Sequence, residues 1–254
     1  MNDHMELSLS ALAQKITQDG VVDGFEVQVI RERLYENGVI DRDEADFFFK
    51  VNDTVAGIKN DAFWGSLFVD ALTDHFLNDT KSPGSIDKSE GQYLLRKICK
   101  DGKVDDLELR LLVSIISIAK TCPMDLIDFA MEAMKARIIR DGFIDDYEVE
   151  MVQKLIYGNG ANDDRGVDRA KANFLFDLND QAAGMPNSPT WKGLFVEAVG
   201  KHVLEDGISP GVVNEGTVDW LIERVSADGE IDENEKVLLE FIKNNAREIE
   251  SGLE

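Results

Sequence analysis

The segment DGKVDDLE at residues 101–108 contains the pattern that decides the fold of this chain. A Gly in this setting favours the left-handed backbone that ends a helix. Asp105 fits the N-cap of a following helix, and Glu108, three residues later, completes a capping box. Val104 precedes the cap and is placed to pack back onto the helix as a hydrophobic staple. The segment therefore predicts a corner between two helices.

The same pattern recurs along the chain and predicts a helix corner at every copy. Apolar residues between the copies follow helical spacing, as Trp64, Leu67 and Phe68 do. No alternating apolar and polar run with a hairpin turn is present. We therefore predict an all-α protein with about six helices in each half and almost no sheet. The close copies lie at residues 19–26, 37–44, 83–90, 101–108, 141–148 and 228–235, and eroded copies lie at 165–171 and 210–217.

A longer repeat divides the chain into two halves. Residues 60–79 and 187–206 are identical at nine of twenty positions when they are aligned at an offset of 127. This repeat predicts two tandem homologous helical units, residues 1–121 and 122–254. Because Trp64 and Trp191 recur at helical spacing among Leu, Phe and Val, we expect both in the core.

Charge and length exclude several classes of function. The 254 residues include 27 Lys and Arg against 50 Asp and Glu, a net charge of −23. This balance excludes typical nucleic-acid and anionic-membrane binding, because both need clustered basic residues. No apolar stretch reaches about 18 residues, and the N-terminus lacks a signal-peptide pattern. The two cysteines have no paired spacing, which favours a cytoplasmic protein. We expect Cys99 to be buried and Cys122 to be the more exposed.

The second half of the corner pattern also matches the calcium loop of an EF-hand. That loop takes oxygen ligands at positions one, three, five, seven and nine, with Gly at six and a bidentate Glu at twelve. Carboxylates fill positions five, nine and twelve in four corners, so a divalent cation such as Ca²⁺ or Mg²⁺ is a candidate cofactor. The candidate ligands are Asp19, Asp23, Glu26, Asp101, Asp105, Glu108, Asp141, Asp145, Glu148, Asp228, Asp232 and Glu235.

A basic residue stands at the first loop position in these four corners, where calcium needs an oxygen. We expect this residue to pair with the cap carboxylates, so that a salt bridge closes the corner. A cation that binds nevertheless would occupy a weak site, or one completed by a neighbouring corner. The four basic residues are Lys15, Lys97, Arg137 and Arg224.

The four corners DGVVDGFE, DGKVDDLE, DGFIDDYE and DGEIDENE, between amphipathic helices of an acidic protein, resemble the tellurite-resistance TerB-like family. The segment W-x-x-L-F-V-x-A at residues 64–71 and 191–198 is also similar to bacterial proteins of unassigned function. The resemblance implies a compact all-helical fold with EF-hand-like corners able to bind metal, and a link to metal stress.

No catalytic motif is present: the chain has no G-x-S-x-G, P-loop, G-x-G-x-x-G, H-E-x-x-H or paired cysteines. His75 and His202 are equivalent at the offset of 127, and we expect them at the helix edge, packed beside the tryptophan stripe; the alternative is a role as metal ligands or pH switches. We therefore predict a non-enzymatic acidic binding or scaffold module, with or without a divalent cation, whose partner is a protein with a basic surface. The alternatives are a purely structural or interaction protein without metal, and a carboxylate-dependent hydrolase.

Overall fold

The protein is described by a computed structural model over residues 7–35, 39–78, 81–158, 166–205, 209–227 and 229–250. The chain divides into two compact units, Met1–Ala130 and Met131–Glu254. In the described ranges the regular structure is twelve α-helices, one 3-10 turn and two strands of two residues each. The prediction of an all-α protein with almost no sheet is confirmed. No helix in these ranges is both long and apolar enough to cross a bilayer.

The first unit is built around the aromatic side chains of its third and fourth helices. Phe48 stacks on Trp64 with ring centroids 6.0 Å apart, and Trp64 is 1% exposed. The expected core position of Trp64 is therefore confirmed. The helices are α1 (Leu9–Ile16), α2 (Gly24–Leu34), α3 (Arg42–Val55), α4 (Ala62–Leu77), α5 (Lys88–Ile98) and α6 (Asp106–Ile118), with the 3-10 turn Cys99–Asp101 after α5.

The second unit begins inside helix α7 (Met124–Asp141), which continues across the division of the chain. Trp191 is 1% exposed and packs on Phe195, which in turn contacts Phe176 edge to face. The expected core position of Trp191 is thus also confirmed. The other helices are α8 (Asp146–Tyr157), α9 (Arg169–Gln181), α10 (Pro189–Glu205), α11 (Glu215–Val225) and α12 (Glu233–Asn245), with parallel strands β1 (Val212–Val213) and β2 (Glu248–Ile249).

The described residues of the six close copies lie at the junctions between consecutive helices, as the sequence predicts, whereas the eroded copy at residues 210–217 contains strand β1. Gly102 and Gly142 adopt φ angles of 76° and 77°, the left-handed backbone that only Gly takes without strain. The residue before the cap is buried at most corners, with Val22 and Ile144 at 0% exposure. The staple prediction is wrong at Ile231, which is 43% exposed.

The cysteine prediction is also wrong. Cys99 is exposed and Cys122 is intermediate, the reverse of the expected order. The reason is local: Ile98, the last residue of α5, takes the buried position at 1% exposure. Cys99 then begins the 3-10 turn on the solvent side.

Candidate functional site

The corner carboxylates hydrogen-bond to the backbone at the start of the following helix. At one corner Asp105 accepts a hydrogen bond of 2.8 Å from the Glu108 N–H, and Glu108 accepts one of 2.9 Å from the Asp105 N–H. This reciprocal pair satisfies two amides that a helix start leaves without partners. The capping-box prediction is confirmed at Asp23, Asp41, Asp87, Asp105, Asp145 and Asp232.

Eight of the twelve predicted metal ligands are capping-box carboxylates, and the other four, Asp19, Asp101, Asp141 and Asp228, stand four residues before a cap. Glu108, Glu148 and Glu235 are buried, at 5%, 1% and 3% exposure. Within the described part of the chain, no group of three or more His, Cys, Asp or Glu side chains is placed to hold a metal ion. Asp228 and the side chain of Asp101 lie outside the described residues. Metal ligation by the twelve carboxylates therefore stays a prediction.

The predicted salt bridge to a cap carboxylate is confirmed at Arg137. Its Nε lies 3.1 Å from Oε1 of Glu148, and the two side chains are 15% and 2% exposed. Burial raises the pKa of the Glu148 carboxyl above its ordinary value, while the hydrogen bond from Asp145 and then the Arg137 guanidinium oppose this rise. At this corner the Arg137 guanidinium compensates the negative charge of the buried Glu148 carboxylate.

Two equivalent basic residues pair with carboxylates of other helices. Lys97 lies 2.8 Å from Asp46 on α3, and Arg224 lies 2.8 Å from Asp177 and 3.5 Å from Asp180 on α9. These partners are not cap carboxylates, so the prediction is wrong for these pairs. The position of each basic residue on its helix determines the direction in which the side chain extends. The neighbouring helix determines which carboxylate the side chain pairs with.

A buried amide supports the cap carboxylate in each unit. Asn179, 1% exposed, donates from Nδ2 to Oδ2 of Asp232 at 2.6 Å, and its Oδ1 accepts from Trp191 Nε1 at 3.3 Å. At the equivalent position Asn52 donates to Oδ2 of Asp105 at 2.7 Å. Sequence reasoning missed this role, although both Asn residues stand at the offset of 127.

Lys171 departs from the corner pattern by replacing the Glu of the capping box. Asp168 still caps α9, accepting a hydrogen bond from the Lys171 N–H at 2.9 Å. The Lys171 side chain is 9% exposed and donates to the carbonyls of Ile156 at 2.8 Å and Gly166 at 3.4 Å. A cation is favourable there because Ile156 lies in the last turn of α8, the negative end of a helix.

In the first unit, an asparagine clasp joins the α1–α2 corner to the loop between α3 and α4. The Val22 N–H donates to Asn60 Oδ1 at 2.8 Å, and the Asp61 N–H donates to the Val22 carbonyl at 2.8 Å. The clasp holds the starts of α2 and α4 side by side. A Cβ built on Gly24 would lie 3.1 Å from Asp61 Oδ2, so the two segments are in close contact.

The second unit contains the same clasp. The Ile144 N–H donates to Asn187 Oδ1 at 2.8 Å, and the Ser188 N–H donates to the Ile144 carbonyl at 2.7 Å. Ser188 Oγ also donates to Asp146 at the start of α8. The two clasps are thus built from equivalent residues with equivalent hydrogen bonds.

Large apolar side chains lie exposed around both clasps. We call Phe25, Ile58 and Phe63 clasp surface 1; they are 60%, 51% and 67% exposed. We call Phe143, Tyr147 and Met185 clasp surface 2; they are 38%, 40% and 47% exposed. Exposed apolar side chains grouped around an ordered loop are typical of contact surfaces.

A groove of about 450 Å³ lies beside clasp surface 2. At the offset of 127, Lys192 of the groove stands where the first unit has Gly65, and Asn234 stands where it has Leu107. In the first unit a Cβ on Gly65 would lie 2.9 Å from Leu107, so Leu107 fills the equivalent space. The groove is lined by Ala183, Gly184, Met185, Pro186, Asn187, Ser188, Pro189, Trp191, Lys192, Asp232, Glu233 and Asn234.

The two histidines pack on aromatic rings of the fifth helix in each unit. His75 contacts Tyr93 with ring centroids 6.4 Å apart, and His202 contacts Trp220 at 5.5 Å. The expected packing beside the tryptophan stripe holds for His75, which also contacts Phe76 of its own helix at 5.1 Å. The sequence does not predict the aromatic neighbours on the fifth helices. The tertiary fold brings α5 and α11, rather than the tryptophans on the histidines' own helices, against these rings.

The comparisons with known proteins add no relative from which a function could be carried over. No protein-family model matches the chain. No significant match is found among curated proteins or among solved structures.

Proposed function

We propose that this protein is a non-catalytic acidic binding module that recognises a basic surface on a protein partner. The observation that carries the proposal is the set of three capping boxes at Asp23, Asp41 and Asp87, each of which fixes an exposed Asp at a helix start. Carboxylates that are already ordered lose little conformational entropy when they meet a cation. The net charge of −23 adds long-range attraction.

We further infer that the two units are homologous helical bundles. The matching clasps at Asn60 and Asn187, and the matching amides at Asn52 and Asn179, support this inference. Membership of a TerB-like group is a proposal based on the same DG corners. A cytoplasmic location is a proposal based on two cysteines without paired spacing.

A divalent cation at one or more corners is the second candidate function. One observation favours it: the negative charges of Asp23 and Asp19 act on the Glu26 carboxyl at the first corner, although the three side chains are not grouped as a ready-made metal site. Burial, and after it the charges of Asp23 and Asp19, raise the pKa of Glu26 against the lowering effect of its hydrogen bond with Asp23. A bound cation would relieve this repulsion.

The test of the proposed function is the binding of a Lys/Ser peptide without apolar residues, measured by calorimetry. We expect binding at about 0.01 M salt and at least tenfold weaker binding at about 0.15 M, because the Debye length falls from ~30 Å to ~8 Å. A Glu/Ser peptide of equal length is the control. Absence of binding by the Lys/Ser peptide at the lower salt concentration would overturn the proposal.

Thermal unfolding with Ca²⁺, Mg²⁺, Zn²⁺ or EDTA at matched ionic strength tests the second candidate. A specific site adds about 2.7 kcal/mol when the ion is at 100 times its dissociation constant. A rise in the melting temperature with one ion that disappears in Asp23→Asn, but not in Asp87→Asn, would establish a metal-linked corner. If no ion changes the melting temperature, the corner carboxylates serve only as helix caps.

A further inference from the structure

The two clasp surfaces contain exposed apolar residues at equivalent positions of the two units. Phe25 and Tyr147 occupy equivalent positions at the offset of 122, and Ile58 and Met185 are equivalent at 127. In each unit, one of these residues lies on one of the two segments that the clasp joins, and the other residue lies on the other segment. Each unit therefore presents a large apolar side chain from a helix start and another from the clasped loop, on a backbone that is fixed before any partner binds.

Carboxylates lie beside both apolar surfaces. In the first unit, Asp19 and Asp23 are exposed on the same corner as Phe25. In the second unit, Asp146 is exposed next to Tyr147 in sequence, and the exposed Asp141 pairs with Arg140 at 3.3 Å. An apolar centre with an acidic margin complements a ligand that has apolar side chains flanked by cations. The same charge argument disfavours a second copy of this chain as the occupant, because each copy carries −23.

We propose that each clasp surface docks the apolar face of a basic amphipathic segment from a partner protein. This inference rests on the proposed function and names the chemistry of its ligand. Lys or Arg side chains of the segment face the corner carboxylates, while its apolar side chains cover Phe63 and Ile58 in the first unit or Phe143 and Met185 in the second. The Met185 side chain suits such a role because the flexible thioether of Met adapts to partners of different shape.

The test uses a peptide helix with Leu at i, i+3, i+4 and i+7 spacing and Lys elsewhere, titrated into the full chain. Its charge is matched by the Lys/Ser peptide. The variants are Ile58→Ser with Phe63→Ser for clasp surface 1, and Phe143→Ser with Met185→Ser for clasp surface 2. These side chains are exposed, so we expect the variants to fold, which circular dichroism verifies.

The matched controls are Ile118→Ser and Ile222→Ser, which remove exposed apolar side chains of 47% and 40% exposure away from the clasps. We expect each double variant to weaken Lys/Leu peptide binding at its own unit by about tenfold or more, and the controls to leave it within twofold. Binding of the Lys/Ser peptide stays unchanged in all four proteins, because the carboxylates are intact.

Three results would overturn the inference, and they are distinct from failure of the proposed function. The first is an equal affinity of the Lys/Leu and Lys/Ser peptides for the unmodified chain. The second is an equal loss of affinity in the clasp and control variants. The third is a dimer in sedimentation velocity that only the clasp variants abolish, which would make a second copy the occupant. If neither peptide binds, the proposed function fails as well.

Discussion

Replacing Arg137 by Met removes the cation that compensates the most buried cap carboxylate. Glu148 Oε1 then loses its 3.1 Å partner, while Oε2 keeps the hydrogen bond of 3.0 Å from the Asp145 N–H. Breaking a buried ion pair by removing one member costs about 3–5 kcal/mol. Since Arg137 is 15% exposed and Glu148 keeps one hydrogen bond, we expect the lower end, about 3 kcal/mol at neutral pH.

The loss of stability in Arg137→Met is larger at neutral pH than at acidic pH. The pKa of Glu148 is already raised by burial, and loss of the Arg137 guanidinium raises it further. A carboxyl whose pKa is higher in the folded than in the unfolded chain binds more protons when folded, so the variant loses stability as pH rises through that window. At a pH below that window Glu148 is protonated in the variant, and we expect the loss to fall to about 1 kcal/mol.

The assay is urea unfolding at both pH values, followed by tryptophan fluorescence and circular dichroism. Lys97→Met is the matched control, because Lys97 holds the equivalent loop position but pairs with Asp46 at 27% and 45% side-chain exposure. A pair this exposed contributes about 0–1 kcal/mol. Equal losses in the two variants, or a loss for Arg137→Met that does not change with pH, would refute the reasoning.

Three further predictions concern stability, each measured by urea unfolding. Asn179→Leu leaves Asp232 Oδ2 and the Trp191 indole without their partner, and we expect a loss of about 2–3 kcal/mol. Lys171→Glu restores the residue of the corner pattern, yet it places a carboxylate against the Ile156 carbonyl, and we expect a loss of about 2 kcal/mol or more. Trp64→Ala empties a fully buried site and is expected to cost about 3–5 kcal/mol.

Each of these predictions has a control in the same chain. Asn245→Leu removes an exposed amide that donates to the Phe241 carbonyl at 2.7 Å, and it should cost less than Asn179→Leu. Lys154→Glu changes the same charge at an exposed helix position and should cost under about 1 kcal/mol. Phe63→Ala, at 67% exposure, should lie within about 0.5 kcal/mol of the unmodified chain. A variant that matches its control contradicts the corresponding prediction.

The sequence alone predicted features that a few neighbouring residues decide. The Asp and Glu of a capping box are three residues apart, so their hydrogen bonds form wherever the helix starts, as Asp105 and Glu108 do. Gly102 takes its left-handed backbone for the same local reason. The core positions of Trp64 and Trp191 followed from helical spacing, because the apolar face of an amphipathic helix is the face that is buried.

Only the tertiary structure decided which side chains from distant segments meet. Arg137 reaches the cap carboxylate Glu148, whereas Lys97 at the equivalent position reaches Asp46 on a different helix. In the clasps, Val22 and Asn60 are 38 positions apart in the sequence, and Ile144 and Asn187 are 43 positions apart. No local pattern indicates that these residues form hydrogen bonds with each other. Hydrogen bonds within one turn depend on backbone geometry that the sequence specifies locally, but contacts between helices depend on how whole apolar faces pack. The caps could therefore be read from the sequence, while the clasp surfaces could not.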